Sequence, residues 1–383
     1  MRGLPFEYAA RNLGRNPARL MMSAGGSMLV VLLVIAAASF ITGMNQSLQV
    51  SGSSRNVILM GAGSEESVER SEIKMKTASI AATGISGIEQ VAGVDAISPE
   101  IHAALPVVNA NGVSLNTVIR GITPGAFLVH REVVLEEGRI PDPGADEIIL
   151  GHLAARNLEA TAIGTTLQID ERPFEVVGIV SADGGVVEGE IWMPLTDVLV
   201  ITQRDTLSCV VLRRRDDSMS SAQGFAATRL DLELAAIRED QYFAGLSAFF
   251  EPVRLMVIAT AILVAAGGVV GGLNTTYAAF ASRVREIGTL RTLGYSRIAV
   301  VRTLIEESIL MASIGGLIAA VLGRVLFDGL TVRFSMGAFG LEVGANEIAL
   351  GLIAGLILGV AGAMIPAYRC LRLPIPEALR AAT

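Results

Sequence analysis

The 383-residue sequence predicts an α-helical membrane protein with four transmembrane helices plus one extracytoplasmic α+β domain. Three observations predict it. Apolar stretches recur at 20–44, 252–281, 298–327 and 348–368, a polar block of 207 residues separates the first two, and arginines gather outside that block. A helix needs roughly 20 apolar residues to cross the hydrocarbon. Leu20–Met44 gives 25 uncharged residues and Met256–Ala281 gives 26. Helices are the expected form, because lipid offers backbone N–H and C=O groups no partner.

Residues 1–19 form a basic amphipathic segment, expected to lie along the inner leaflet with its arginines toward headgroups and to touch a cytoplasmic partner. Pro5 and Pro17 suit its ends, since proline is tolerated in a first turn and disruptive within a helix. The first span, 20–44, is too long for the apolar core of a cleaved leader, which runs roughly 7 to 15 residues. Short loops rich in Lys and Arg stay cytoplasmic. Arg2, Arg11, Arg15 and Arg19 precede the first span; Arg283, Arg285, Arg291, Arg297 and Arg302 follow the second; Arg369, Arg372 and Arg380 follow the fourth. Both termini are therefore expected in the cytoplasm, with 45–251 facing outward. That block carries 15 basic and 29 acidic residues, a net charge of −14, against +7 for the remainder.

Within the block, 60–71 reads as a polar loop. Ile85–Val91 suggests a short helix, and Val94–Pro99 a strand stopped by proline. Ala104–Val108 and Asn116–Arg120 alternate as strands around the turn Asn109–Gly112. Glu147–Gly151 reads as a strand, His152–Leu158 as a short helix, and Thr166–Ile169 pairs with Glu175–Val180 around the turn Asp170–Pro173. Ile191–Pro194 and Leu207–Leu212 are further strands, and Ala222–Ile237 has helical spacing at Phe225, Leu230, Leu234 and Ile237. These elements suggest a β-rich subdomain at about 131–200 inserted into a first one.

Several chemistries are disfavoured. Cys209 and Cys370 fall on opposite sides of the membrane in this topology and offer no zinc pattern. His102, His130 and His152 lack short ligand spacing and read as surface residues. No His lies beside a Ser or Cys in a nucleophile motif. No basic stripe suits nucleic acid, because Arg213–Arg215 runs straight into Asp216 and Asp217 as a self-neutralised turn. Gly184–Gly189 reads as a hairpin loop, and no Gly-x-x-x-x-Gly-Lys-Ser/Thr phosphate loop occurs in the sequence.

Residues 282–297 carry the functional signal. Ser282–Leu293 forms an amphipathic helix with Ile287, Leu290 and Leu293 on one side, Arg283, Glu286 and Arg291 elsewhere, and Gly294 as its C-terminal cap. Apolar side chains in the cytosol call for a covering partner, which suggests a helix-in-groove contact. In the spans, Gly267 and Gly271, and Gly351, Gly355 and Gly359, recur every four residues and permit close helix packing, with the second span favoured as a dimer contact. Glu306 and Glu307 are membrane-embedded carboxylates, read as structural or coupling groups rather than a proton relay. The loop 328–347 is short, and 369–383 forms a cytoplasmic tail.

The run Arg285-Glu286-Ile287-Gly288-Thr289-Leu290-Arg291-Thr292-Leu293-Gly294 closely resembles the coupling-helix signature of the FtsX-like permease family of ABC transporters, which includes MacB, LolC and LolE. Leu304-Ile305-Glu306, Pro366-Ala367-Tyr368-Arg369 and 373–380 resemble its third span and tail. Arg120–Gly125, Glu137-Gly138-Arg139, Ile163-Gly164 and Phe174–Ile179 resemble the MacB-like periplasmic core. The resemblance implies an outer domain with a Porter-like part and an inserted Sabre-like part. It further implies a dimer, homodimeric or with a paralogue, above two copies of a cytoplasmic ATP-binding subunit, with or without a periplasmic adaptor and an outer-membrane channel. ATP and Mg would bind in that partner subunit, so this chain would be a non-catalytic permease binding no cofactor. MacB carries a fused ATPase domain before its first span, and only 19 residues precede it here. The implied role is mechanotransmission, in which ATP hydrolysis moves the outer domain to export or extract a substrate, lipoproteins included. The alternative is an FtsX-like regulator of a cell-wall hydrolase. A sensor is disfavoured because no cytoplasmic output domain follows.

Overall fold

A computed structural model describes residues 17–216, 218–281, 284–334 and 337–372. Most of the basic N-terminal segment, Arg283, and the tail motif 373–380 lie outside the described residues. The chain divides into two compact units, Met1–Thr42 with Pro252–Leu330 and Glu342–Thr383, and Gly43–Glu251 with Thr331–Leu341.

The first unit is helical: α1 Pro17–Val50, α2 Glu251–Ala281, α3 Val284–Thr292, α4 Arg297–Phe327 and α5 Ala345–Arg372. Four of these, all but α3, are long and apolar enough to cross a membrane. Val31 and Ile35 of α1 meet Ala319 of α4 in a small apolar core.

The second unit is built on ten strands: β1 Asn56–Gly61, β2 Ile97–Val108, β3 Ser114–Ile122, β4 Val134–Gly138, β5 Glu147–Gly151, β6 Thr166–Ile169, β7 Arg172–Ser181, β8 Ile191–Pro194, β9 Cys209–Arg213 and β10 Leu234–Arg238. They form one sheet in the order β10-β1-β9-β2-β3-β8-β5-β7-β4, and β6 bridges β7 and β2. The pairs β2–β3, β3–β8, β8–β5, β5–β7, β7–β6 and β6–β2 therefore close a six-stranded ring. Closure removes exposed edges along those strands. One continuous apolar core runs from Val57 and Leu59 of β1 to Phe174 and Val176 of β7. The strands of the piece at about 131–200, β4 to β8, lie side by side and join β2 and β3 of 97–122 through the pairs β3–β8 and β6–β2.

Local departures from the sequence reading have physical causes. The first short helix is Thr77–Gly84, and Ile85 is already extended at φ −103, ψ 121. Ile85 and Ile88 instead enter the core, each side of Gly87 at φ +83. Strand β2 continues through Pro99, which stands opposite Val210. Arg213 N–H bonds to Ala96 C=O, so the alternation of the ladder leaves Pro99 at a non-hydrogen-bonded position. Its other side is free because pairing with β3 starts at Ile101. The helix expected over 222–237 stops at Thr228, and Leu234–Arg238 pairs with β1. The backbone edge of β1 needs those partners, an obligation local periodicity does not register. Asp170 and Glu171 both take positive φ, 49 and 65, as a two-residue hairpin of this kind requires. The loop expected at 328–347 contains a hairpin, Thr331–Phe334 with Gly337–Gly340, whose Ala338 packs on Gly189 of the second unit.

Candidate functional site

The segment expected to couple folds as α3, and the turn that follows it is closed at both ends. Gly294 takes φ +91, Gly294 N–H bonds to Arg291 C=O, and Tyr295 N–H bonds back to Leu290 C=O. This paired pattern ends a helix with a left-handed residue, which glycine supplies at no steric cost. Two residues on, the Ser296 hydroxyl accepts from Ala299 N–H at 3.2 Å and caps α4. The α3–α4 corner is thus fixed by backbone geometry.

The expected apolar side of α3 is divided. Ile287 and Gly288 are buried, Ile287 against Val300 and Leu304 of α4 and Ala367 of α5. Leu290 is half-buried, whereas Leu293 is 70% exposed. Ile287 anchors the helix to its own unit, and Leu293 is what it offers outward. Arg285 and Glu286 are exposed, and Arg291 is half-buried.

The glycine pairs also divide. A Cβ on Gly351 would strike Ile35 at 2.6 Å, one on Gly355 would strike Val31 at 2.6 Å, and one on Gly359 would meet Ala312 at 2.8 Å. These three close α5 onto α1 and α4 within the chain. Gly267 and Gly271 have nothing within 4 Å of a Cβ position among the described residues. The most apolar window of α2, their helix, is 0% buried. Of the embedded carboxylates, Glu306 accepts from Arg302 Nε at 2.7 Å one helical turn away, and Glu307 is buried.

A charged cluster lies inside the second unit. Arg120 on β3 donates from Nε and Nη2 to both oxygens of Glu190, each at 2.7 Å, and from Nη1 to Glu100 on β2 at 3.0 Å. Trp192 Nε1 donates to Glu190 at 2.9 Å, and its ring lies 5.5 Å from the guanidinium. The other Glu100 oxygen meets His130 Nε2 at 2.8 Å, and His102 meets Glu100 at 3.3 Å. Beyond His130, Glu239 accepts from Asn56 Nδ2 at 2.8 Å and Ser53 N–H at 3.1 Å. Glu100, Glu190, Glu239 and His130 are each at most 3% exposed.

Burial and partners oppose each other at these groups. Burial alone would lower the His130 pKa, but the carboxylates of Glu100, Glu132 and Glu239 lift it to about 10. Burial would raise Glu100, and the cations of His130 and Arg120 hold it well below its usual range. Glu239 is pushed up to about 7 by burial, partly opposed by His130. Burial, with the Arg120 charge beside it, lowers His102. Burial drives the Cys209 thiol up, away from reactivity.

The outer-domain motifs acquire roles here. Arg120 centres the cluster, and a Cβ on Gly121 would meet Val198 at 3.0 Å. Gly138, at φ +83, leaves no room for a Cβ beside Val177 C=O. Arg139 bonds Glu147 through both terminal nitrogens.

The sequence pattern described as the MacB-like periplasmic core domain matches residues 20–225, and that described as the FtsX-like permease C-terminal region matches 258–375. The chain belongs to the MacB/FtsX-like ABC permease family. Its periplasmic core match includes Glu100, Arg120, His130 and Glu190, and its FtsX-like match includes α3. Relatives in the family include the macrolide export ATP-binding/permease protein MacB of Nitrobacter winogradskyi, 27% identical over 62% of this chain and 38% of that one. Another is the uncharacterized ABC transporter permease YknZ of Bacillus subtilis, 21% identical over 78% of this chain and 77% of that one. The chain spans less than half the length of the MacB relatives it matches, between 38% and 49%. Among solved structures, the periplasmic region of MacB from Actinobacillus actinomycetemcomitans aligns with a TM-score of 0.40 and 18% identity, covering 52% of this chain and 94% of that one.

Sequence reasoning placed His102 and His130 on the surface; 12% and 2% of their side chains are exposed. Only His152 is exposed. Arg213 likewise is no self-neutralised turn: it ends β9 and pairs with Glu89 at 3.0 Å. One available signal was a charge inside a strand flanked by apolar residues on both faces, as at Val118-Ile119-Arg120 and Glu190-Ile191-Trp192.

Proposed function

We propose that this chain is the permease part of an ABC system in which α3 docks on a cytoplasmic ATP-binding subunit. The observation that carries the reading is the anchored, capped α3 with Leu293 outward and Ile287 held by α4 and α5. A helix fixed in this way passes a push to the spans instead of absorbing it by fraying. No phosphate-loop motif occurs in these 383 residues, so ATP and Mg bind elsewhere and the chain itself hydrolyses nothing.

Both termini face the cytoplasm in this reading, as the arginine distribution supports. The open glycine face of α2, with Gly267 and Gly271 uncovered, supports a second permease copy against that helix. Two ATPase copies then match two copies of α3. The names of the MacB relatives support export as the task. The closed six-stranded ring and the buried ion pairs support the outer unit moving as one piece.

Co-purification tests the docking. The chain is isolated from its native membrane in mild detergent, and the ATP-binding subunit is expected with it. Leu293→Asp should reduce that recovery at least tenfold while leaving the permease inserted and folded. Equal recovery with Leu293→Asp and wild type would sink the docking role of α3.

A further inference from the structure

We propose that His130, Glu132 and Glu239 form a divalent-cation site of the zinc type in the outer unit, in which the ion displaces the Nδ1 proton of His130 to solvent. His130 Nδ1 lies 3.6 Å from Glu132 Oε1 and 3.7 Å from Glu239 Oε1. Both separations exceed a hydrogen bond. They match the spacing of ligands around a tetrahedral ion, since two atoms each about 2.1 Å from zinc stand roughly 3.4 Å apart. The three donor atoms all lie within 4.8 Å of one another.

The surroundings hold the ligands for such an ion. His130 is 1% exposed, and its Nε2 is bonded to the Glu100 carboxylate at 2.8 Å. A carboxylate on the far nitrogen is the usual device that fixes a metal-binding imidazole and raises its basicity. Glu239 Oε2 is committed to Asn56 and Ser53, which turns Oε1 toward Nδ1. Glu132 keeps 24% of its side chain exposed, giving an ion a route from solvent and leaving a position for water. Glu100, His102 and Cys209 make a second group of donor atoms, but both Glu100 oxygens are occupied and the Arg120 cation sits among them. Positive charge there repels an ion that the first group attracts.

The ion would tie residues 130–132 to the first residue of the helix Glu239–Phe249, the element that precedes α2 in the chain. The test uses the full-length chain in detergent, stripped with a chelator and titrated with zinc chloride against a chromophoric competitor. One zinc per chain is expected, with affinity reduced at least tenfold by Glu132→Gln and unchanged by Cys209→Ser. The cobalt form should lack thiolate-to-metal charge transfer. Uptake well below one ion per chain, or equal affinity in Glu132→Gln, overturns the site. A thiolate band or loss of binding in Cys209→Ser also overturns it, by moving the ion to the second group. Glu132 is partly exposed, so its variant should fold, and unchanged Trp192 emission verifies that.

Discussion

Removing the guanidinium at the centre of the buried cluster gives the sharpest test of the outer unit. In Arg120→Leu, three hydrogen bonds of 2.7, 2.7 and 3.0 Å disappear, and Glu190 is left with Trp192 Nε1 as its remaining described donor. Glu100 keeps His130, so one carboxylate of the two loses its cation. Deleting one partner of a buried ion pair costs about 3–5 kcal/mol, because the other charge stays buried without compensation. In a unit of this size each kcal/mol moves Tm by about 2–4 °C, so the loss should be roughly 6–20 °C. The chain's single tryptophan, Trp192, lies in the cluster and reports the transition in the full-length protein. Arg120→Leu with Glu190→Leu should recover part of the loss, since the double change removes both charges of the tightest pair. A Tm within about 2 °C of wild type for Arg120→Leu would refute the assignment of the cluster as a stability element.

Two further outcomes follow from packing and charge. Gly355→Leu should destabilise the helical unit by forcing α5 off Val31, whereas Gly267→Leu and Gly271→Leu should leave the monomer's melting unchanged and weaken the proposed dimer in cross-linking. The reverse pattern would place the subunit contact elsewhere. His102 has a folded pKa below 6.5, so the unfolded chain binds more protons below that pH and stability falls with acid. His102→Gln should therefore match wild type near pH 7.5 and lose less Tm than wild type by pH 5.5; parallel curves would contradict the depressed pKa.

The membrane part was legible because lipid imposes one-dimensional rules. An uncharged run long enough to cross must be a helix, and Leu20–Met44 and Met256–Ala281 announce that whatever they pack against. The α3 corner was equally legible, since Gly294 and Ser296 act on their own neighbours. Which apolar residue of α3 faces out was not, because Ile287 and Leu293 have similar local contexts and only the placement of α4 and Ala367 separates them. The same holds for glycine spacing, identical at Gly267/Gly271 and Gly351/Gly355 yet covered only in the second pair.

In the outer unit, strand-by-strand reading succeeded for β5 and β8, short apolar runs, and for β6, whose alternation and turn are local. It failed at Ala222–Ile237 and at Pro99, where a neighbouring strand set the outcome. The sequence by itself determined four apolar spans, an acidic domain between the first two, the capped α3 corner and the absence of a phosphate loop in these residues, each a matter of length, charge or short spacing. Only the tertiary structure decided that β2, β3 and β5–β8 close a ring and that Glu100, Arg120, His130, Glu190 and Glu239 converge inside the domain. Those five lie up to 139 positions apart in the sequence, and the cost of burying their charges is offset only by partners that distant strands supply.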